Sequence, residues 1–149
     1  MKRVLFFDDY PRAVENRDLV ERLERAGFHV TRVKTTREFE SAVRWIAYDT
    51  IIMDVMAKPS GPMHQYDDPD VIVEETTCGI ELLRRCRGGY YKRHAKHYQS
   101  IPIYIRTANG AHHMQKLYKK EGGIYIDPAE NRALVKMINE YIATREKPQ

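Results

Sequence analysis

The chain has 149 residues, 42% of them apolar and 31% charged, with a formal net charge of +4 and a sequence pI near 9.0. That length favours one domain of ordinary size, residues 1–149, with enough apolar content for a single core and a charged surface typical of soluble chains. No apolar run approaches the length of a membrane span, and the four residues Val4–Phe7 run straight into Asp8 and Asp9, which excludes a secretory signal peptide and makes a cytoplasmic location the expectation.

Five short apolar runs alternate with amphipathic segments. Arg3–Phe7 reads as the first strand and ends on Asp8 and Asp9. Pro11 suits the first turn of a helix that would bury Val14, Leu19, Val20, Leu23 and Ala26, and Gly27 would cap it. Phe28–Val33 alternates like a strand. Thr35 and Glu38 have the spacing of a capping box, opening a helix that would bury Phe39, Ala42, Val43 and Ile46 with Trp45 on its flank. Thr50–Met53 is too short for a helix and β-branched enough for a buried strand, and it ends on Asp54.

Val55 to Thr77 breaks the rhythm, and residues 57–77 read as an insert, with Val71–Val73 a short strand or a patch that packs back on the body. A loop this long inside a compact domain is uncommon, and such loops are functional or disordered. Gly79–Cys86 reads as a helix stopped by Gly88 and Gly89. Tyr90–Ser100 is basic and aromatic without a period. Ile101–Arg106 is the fourth strand, ending on Thr107, and a turn follows through Gly110. Met114, Leu117 and Tyr118 mark a helix that stops at Gly122 and Gly123. Ile124–Ile126 is the fifth strand, ending on Asp127 and Pro128, and the last helix carries Leu134 to Ile142. Strands alternating with helices imply an α/β fold, a parallel sheet covered on both faces.

In such folds the chemistry sits at the carboxyl ends of the strands. Asp54 closes a central strand and reads as the reactive group, served by Asp8, Asp9 and Thr107. The plainer reading of each residue stays open: Asp8 or Asp9 as a helix cap, Asp54 and Thr107 as turn residues.

Val4-Leu5-Phe6-Phe7-Asp8-Asp9, the strand ending in Asp54, Gly79-Ile80-Glu81-Leu82-Leu83, and Ile101-Pro102-Ile103 through Thr107-Ala108 together resemble a response-regulator receiver domain (CheY-like). The resemblance covers nearly the whole chain apart from the insert. It implies a doubly wound, flavodoxin-like (βα)5 fold with strand order 2-1-3-4-5. It implies that Asp54 accepts a phosphoryl group from a histidine kinase or phosphotransfer protein. Asp8, Asp9, Asp54 and the Met56 carbonyl would hold Mg²⁺ or Mn²⁺, and Thr107 would bond the phosphoryl oxygen. The chemistry is consistent with that set. Two like charges ~4 Å apart repel by about 4 kcal/mol at an effective dielectric of 20, so clustered carboxylates call for a cation. Mg²⁺ takes oxygen ligands and offsets the charge of an incoming phosphoryl group.

Three departures from the family stand out. The family's lysine before the proline that follows the fifth strand is replaced here by Asp127, which predicts a more acidic, cation-hungry site and a poorer phosphoryl host. Lys58 is the candidate substitute cation; Arg106 is set aside because strand alternation turns it away from Thr107. The family's switch aromatic matches Ile124, with Tyr125 facing the other way. The insert adds five acids between Asp67 and Glu75.

Other groupings are weaker. Cys78 and Cys86 lie two turns apart on one helix and read as reduced thiols. His94, His97 and Cys86 match no zinc spacing, and solvent-exposed histidines are expected. Six Lys/Arg between Arg84 and His97 read as a solvated surface, with Tyr90-Tyr91-Lys92-Arg93 the one aromatic-basic run. The sequence thus predicts a stand-alone receiver, a phosphoryl-accepting switch rather than an enzyme, acting through an unknown downstream protein, with no membrane and no direct nucleic-acid contact. The alternative is a phosphorylation-independent pseudo-receiver that serves as an interaction module. A haloacid-dehalogenase-type phosphatase with Asp8 as nucleophile ranks last, because Tyr10 stands where its second aspartate belongs.

Overall fold

The computed structural model describes residues 2–8, 13–53, 78–107 and 110–146. Five strands form one parallel sheet: β1 (Arg3–Phe7), β2 (His29–Val33), β3 (Thr50–Met53), β4 (Ile103–Arg106) and β5 (Ile124–Ile126), in the order β2-β1-β3-β4-β5. The helices are α1 (Val14–Arg25), α2 (Thr36–Trp45), α3 (Cys78–Arg87), α4 (Ala95–Ser100), α5 (His112–Lys120) and α6 (Asn131–Glu146), with a 3-10 turn at Lys92–His94. The order reverses at β1 and β3, and that switch point opens a crevice at the carboxyl edge.

Strand alternation splits the core in two. Val4, Phe6, Ile52 and Tyr104 meet Leu19, Leu23, Leu134 and Ile138 of α1 and α6. Leu5, Phe7, Ile51, Met53, Ile103 and Ile105 meet α2, α3, α4 and α5 on the other face. Phe7 and Phe39 pack edge to face with ring centres 5.4 Å apart. Each such fully buried side chain stabilises the fold by about 1.5–3 kcal/mol.

The sequence signals for the helix ends hold. Glu38 N–H donates to Thr35 Oγ1 at 3.1 Å, opening α2 as the capping box predicts. Gly27 takes φ +90°, and the bonds Gly27 N to Glu24 O and Phe28 N to Leu23 O close α1 in a Schellman motif.

Three expectations are corrected. Val14 is 69% exposed, and Asn16 takes the inward place that it was expected to fill. Tyr90–Ser100 is not irregular: it holds the 3-10 turn and α4. Its two buried anchors, Tyr91 and Tyr98, are seven residues apart, too sparse to show a period in sequence. His94 and His97 are half-buried rather than exposed, both edge-on to Tyr98, and His97 Nε2 bonds the Tyr48 carbonyl.

Candidate functional site

The sheet register assembles the carboxyl edge. Phe7 pairs with Met53, Met53 with Ile105, and Ile105 with Tyr125. The next chain positions are therefore Asp8, Asp54, Arg106 and Ile126, with Thr107 and Asp127 one step further. Asp8 continues the ladder, its N–H donating to Val33 O at 2.9 Å. Asp9, Asp54, Met56, Lys58 and the 57–77 insert with Val71–Val73 lie outside the described residues, as does Pro11.

Asp8 is buried, and its carboxylate accepts a hydrogen bond from Asn16 Nδ2 on α1. Asn16 Oδ1 in turn accepts from Arg106 Nη1. Arg106 also gives Nε to Asn131 Oδ1 at 3.1 Å and Nη2 to the Glu15 and Pro128 carbonyls at 3.2 Å each. Asn131 Nδ2 donates to Asp18 at 3.0 Å and to the Glu15 carbonyl at 2.7 Å. The Asn131 and Arg22 bonds to Asp18 hold its carboxyl below the usual carboxylate range. The guanidinium is 5.8 Å from the centre of the Phe6 ring. A buried cation thus lies one side chain away from Asp8.

Sequence reading did not find this arrangement. Alternation correctly turned Arg106 away from Thr107. The same alternation puts Asp8 and Arg106 on one side, because Phe6 and Tyr104 share the α1–α6 core. The only signal available was an arginine inside a buried strand, which demands acceptors from its neighbours.

No protein-family model and no curated protein matches the chain. Solved structures do. The receiver domain of Francisella response regulator 1452 is 19% identical, with 98% of this chain and 100% of that one covered at a TM-score of 0.69. A CheY-like receiver from Methanospirillum hungatei JF-1 is 21% identical over 98% and 97%, with a TM-score of 0.67. The receiver of a sensor histidine kinase from Pseudomonas aeruginosa PAO1, with magnesium coordinated in its active-site cleft, is 19% identical over 95% and 98% at 0.66. The fold is that of a response-regulator receiver domain.

Within the receiver fold, Thr107 follows β4 and is 1% exposed. Asp127 stands exposed after β5, and its Oδ1 accepts the Ala129 N–H at 2.8 Å. That carboxylate caps its own turn, an ordinary role for aspartate before a helix. Ile124 is 39% exposed, and Tyr125 faces inward, stacked on Tyr118 with ring centres 6.1 Å apart.

The receiver fold implies a magnesium site. The described part of its donor set fits: Asp8 offers a hard carboxylate oxygen at the switch point, one of its oxygens accepting from Asn16. Among the described residues no three His, Cys, Asp or Glu side chains stand together, so Asp8 would need donors from the segments holding Asp9 and Asp54.

The basic stretch begins inside α3, where its arginines are paired rather than simply solvated. Arg84 pairs with Glu81 and Glu121 at 2.6 and 3.1 Å. Arg85 pairs with buried Glu40, and Arg87 donates to the carbonyls of Tyr98, Ile101 and Gly122. Lys92, Arg93 and Lys96 are exposed, as is Arg84 despite its two ion pairs. No helix among the described residues is long and apolar enough to cross a membrane.

Proposed function

We propose that this chain is a receiver that accepts a phosphoryl group on Asp54 from a histidine kinase or phosphotransfer protein and passes the signal to a downstream protein. The observation that supports the reading is the register: Phe7 beside Met53 and Met53 beside Ile105 set Asp8, the end of β3 and Thr107 along one carboxyl edge. In the step proposed, an Asp54 carboxylate oxygen attacks phosphorus and the bond to the donor breaks. The electron pair leaves with the donor nitrogen, which takes a proton, and an acyl phosphate remains on Asp54. Thr107 offers its hydroxyl to a phosphoryl oxygen. Asp8, Asp9, Asp54 and the Met56 carbonyl would hold Mg²⁺, which supplies charge neutralisation when bound. The product is a marked protein and not a released compound, so the chain is a switch rather than a turnover enzyme.

Intact mass after incubation with acetyl phosphate and Mg²⁺ tests this. A phosphoryl adduct on the wild type that is missing from Asp54→Asn is expected. No adduct on folded protein would favour the second reading, a phosphorylation-independent interaction module. Asp127 motivates that second reading, because no lysine stands at its place to pair with a phosphoryl group.

A further inference from the structure

The geometry points to Arg106 as the residue that positions Asp8, acting through Asn16. The inference rests on the receiver reading only in giving Asp8 a metal to bind.

A guanidinium has only donors, and an ionised carboxylate only acceptors. An asparagine caught between them has one workable orientation, oxygen toward the arginine and nitrogen toward the carboxylate. Asn16 stands so between Arg106 and Asp8, and Asn131 stands so between Arg106 and Asp18. The order Asp8–Asn16–Arg106–Asn131–Asp18 is thus polar-matched at every link. It ties α1, β4 and the start of α6 to the end of β1. Without the guanidinium the Asn16 oxygen loses the donor that anchors it, and the amide that holds the Asp8 carboxylate is no longer fixed in place.

Arg106 also supplies a fixed cation on this edge, where the receiver's lysine is replaced by Asp127. It stays buried, 5% exposed, and held by four acceptors on Asn16, Asn131, Glu15 and Pro128. Lysine cannot stand in for it, because one ammonium cannot reach acceptors spread along a planar fork.

Isothermal titration of the full chain with MgCl₂, and with MnCl₂ as a second probe, tests the inference. Wild type, Asp8→Asn, Arg106→Lys and Asn16→Ala are compared, each with its melting midpoint. Arg106→Lys and Asn16→Ala both keep a cation at position 106, so a change in affinity reports positioning and not net charge. Asp8→Asn is expected to abolish binding. The other two are expected to weaken it about tenfold, at the low end for residues that orient a metal ligand. If Asp8→Asn abolishes binding and the other two stay within twofold of wild type, Arg106 merely braces the fold and the inference is wrong. Should Arg106→Lys fail to fold, Asn16→Ala reads the same contact from its other end.

If the wild type takes up neither metal, the receiver reading loses its metal site and a metal-free cycle decides. Denaturation midpoints of Asp8→Asn, Arg106→Lys and the double variant are compared. Shifts smaller together than their sum support the positioning link. Shifts that simply add overturn it.

Discussion

One guanidinium nitrogen of Arg85 lies 2.9 and 3.0 Å from the two carboxylate oxygens of Glu40, a side chain wholly shielded from solvent. Arg44 at 3.4 Å and the Tyr91 hydroxyl at 3.0 Å complete the shell. The cluster ties α2 to α3 and to the segment around Tyr91 that follows it. Removing one member of a buried ion pair leaves the other uncompensated, at about 3–5 kcal/mol. Glu40→Leu is therefore expected to lose stability in that range by urea denaturation. Adding Arg85→Met to it should return part of the loss, since an apolar pair strands no charge.

Cys86 is fully buried, and burial pushes its thiol from an ordinary 9.0 up to about 12. Below pH 9 both the folded and the unfolded chain keep the proton, and this group leaves stability unchanged. Between 9 and about 12 only the unfolded chain releases it, so stability falls by about 1.4 kcal/mol per pH unit. Burial also raises Tyr91 and Tyr98, which steepens the decline above their ordinary 10.0. Urea midpoints should hold from pH 7 to 8.5 and drop beyond 9, less steeply in Cys86→Ala. In native Cys78→Ser protein the Cys86 thiol should not react with a disulfide reagent at pH 8.

A methyl group on Gly110 would meet the hydroxyl of Tyr125, which is stacked on Tyr118. Gly110→Ala should then cost about 1–3 kcal/mol, the usual penalty of overpacking. In a Tyr125→Ala background the same substitution should be near neutral. Thermal melts of the four proteins check this. A full penalty in both backgrounds would mean that Gly110 is needed for its backbone and not for the space it leaves.

Trp45 is 67% exposed, and the Arg93 guanidinium lies 5.7 Å from its ring centre. Its fluorescence should resemble that of free tryptophan and be quenched more strongly by iodide than by caesium, because the local charge draws anions. Arg93→Ala should narrow the gap between the two quenchers while leaving acrylamide quenching almost unchanged.

Asp127→Lys places the receiver family's cation back on the carboxyl edge and changes the local charge by two units. It removes the bond to the Ala129 N–H, at a cost of about 0.5–2 kcal/mol. The expected gain is a larger phosphoryl adduct on Asp54 at a fixed concentration of acetyl phosphate. Intact mass at equal incubation times measures it. An unchanged adduct would argue that the cation already present at Arg106 suffices.

The strands were legible because each is a short apolar run bounded by charges or turn residues, and β1, β3 and β5 fall where the runs fall. Thr35–Glu38 and Gly27 were legible because caps are local chemistry, settled within five residues. The short helix after Tyr91 was not, since its apolar anchors are set by the Tyr48 and Ile46 carbonyls that His97 and Tyr98 reach, about fifty residues away in sequence.

By itself the sequence determined the α/β alternation, the ends of the strands and the polar groups that close them. These follow from periodicity and turn chemistry, which act between near neighbours. The tertiary structure alone decided what those polar groups face. Asn16 reaches Arg106 across ninety positions and Asn131 reaches Asp18 across 113, and Glu40 is buried only because Arg85 and Tyr91 close over it. A buried charge or amide is tolerable only where distant partners meet it, and no local pattern records which partner the fold will bring.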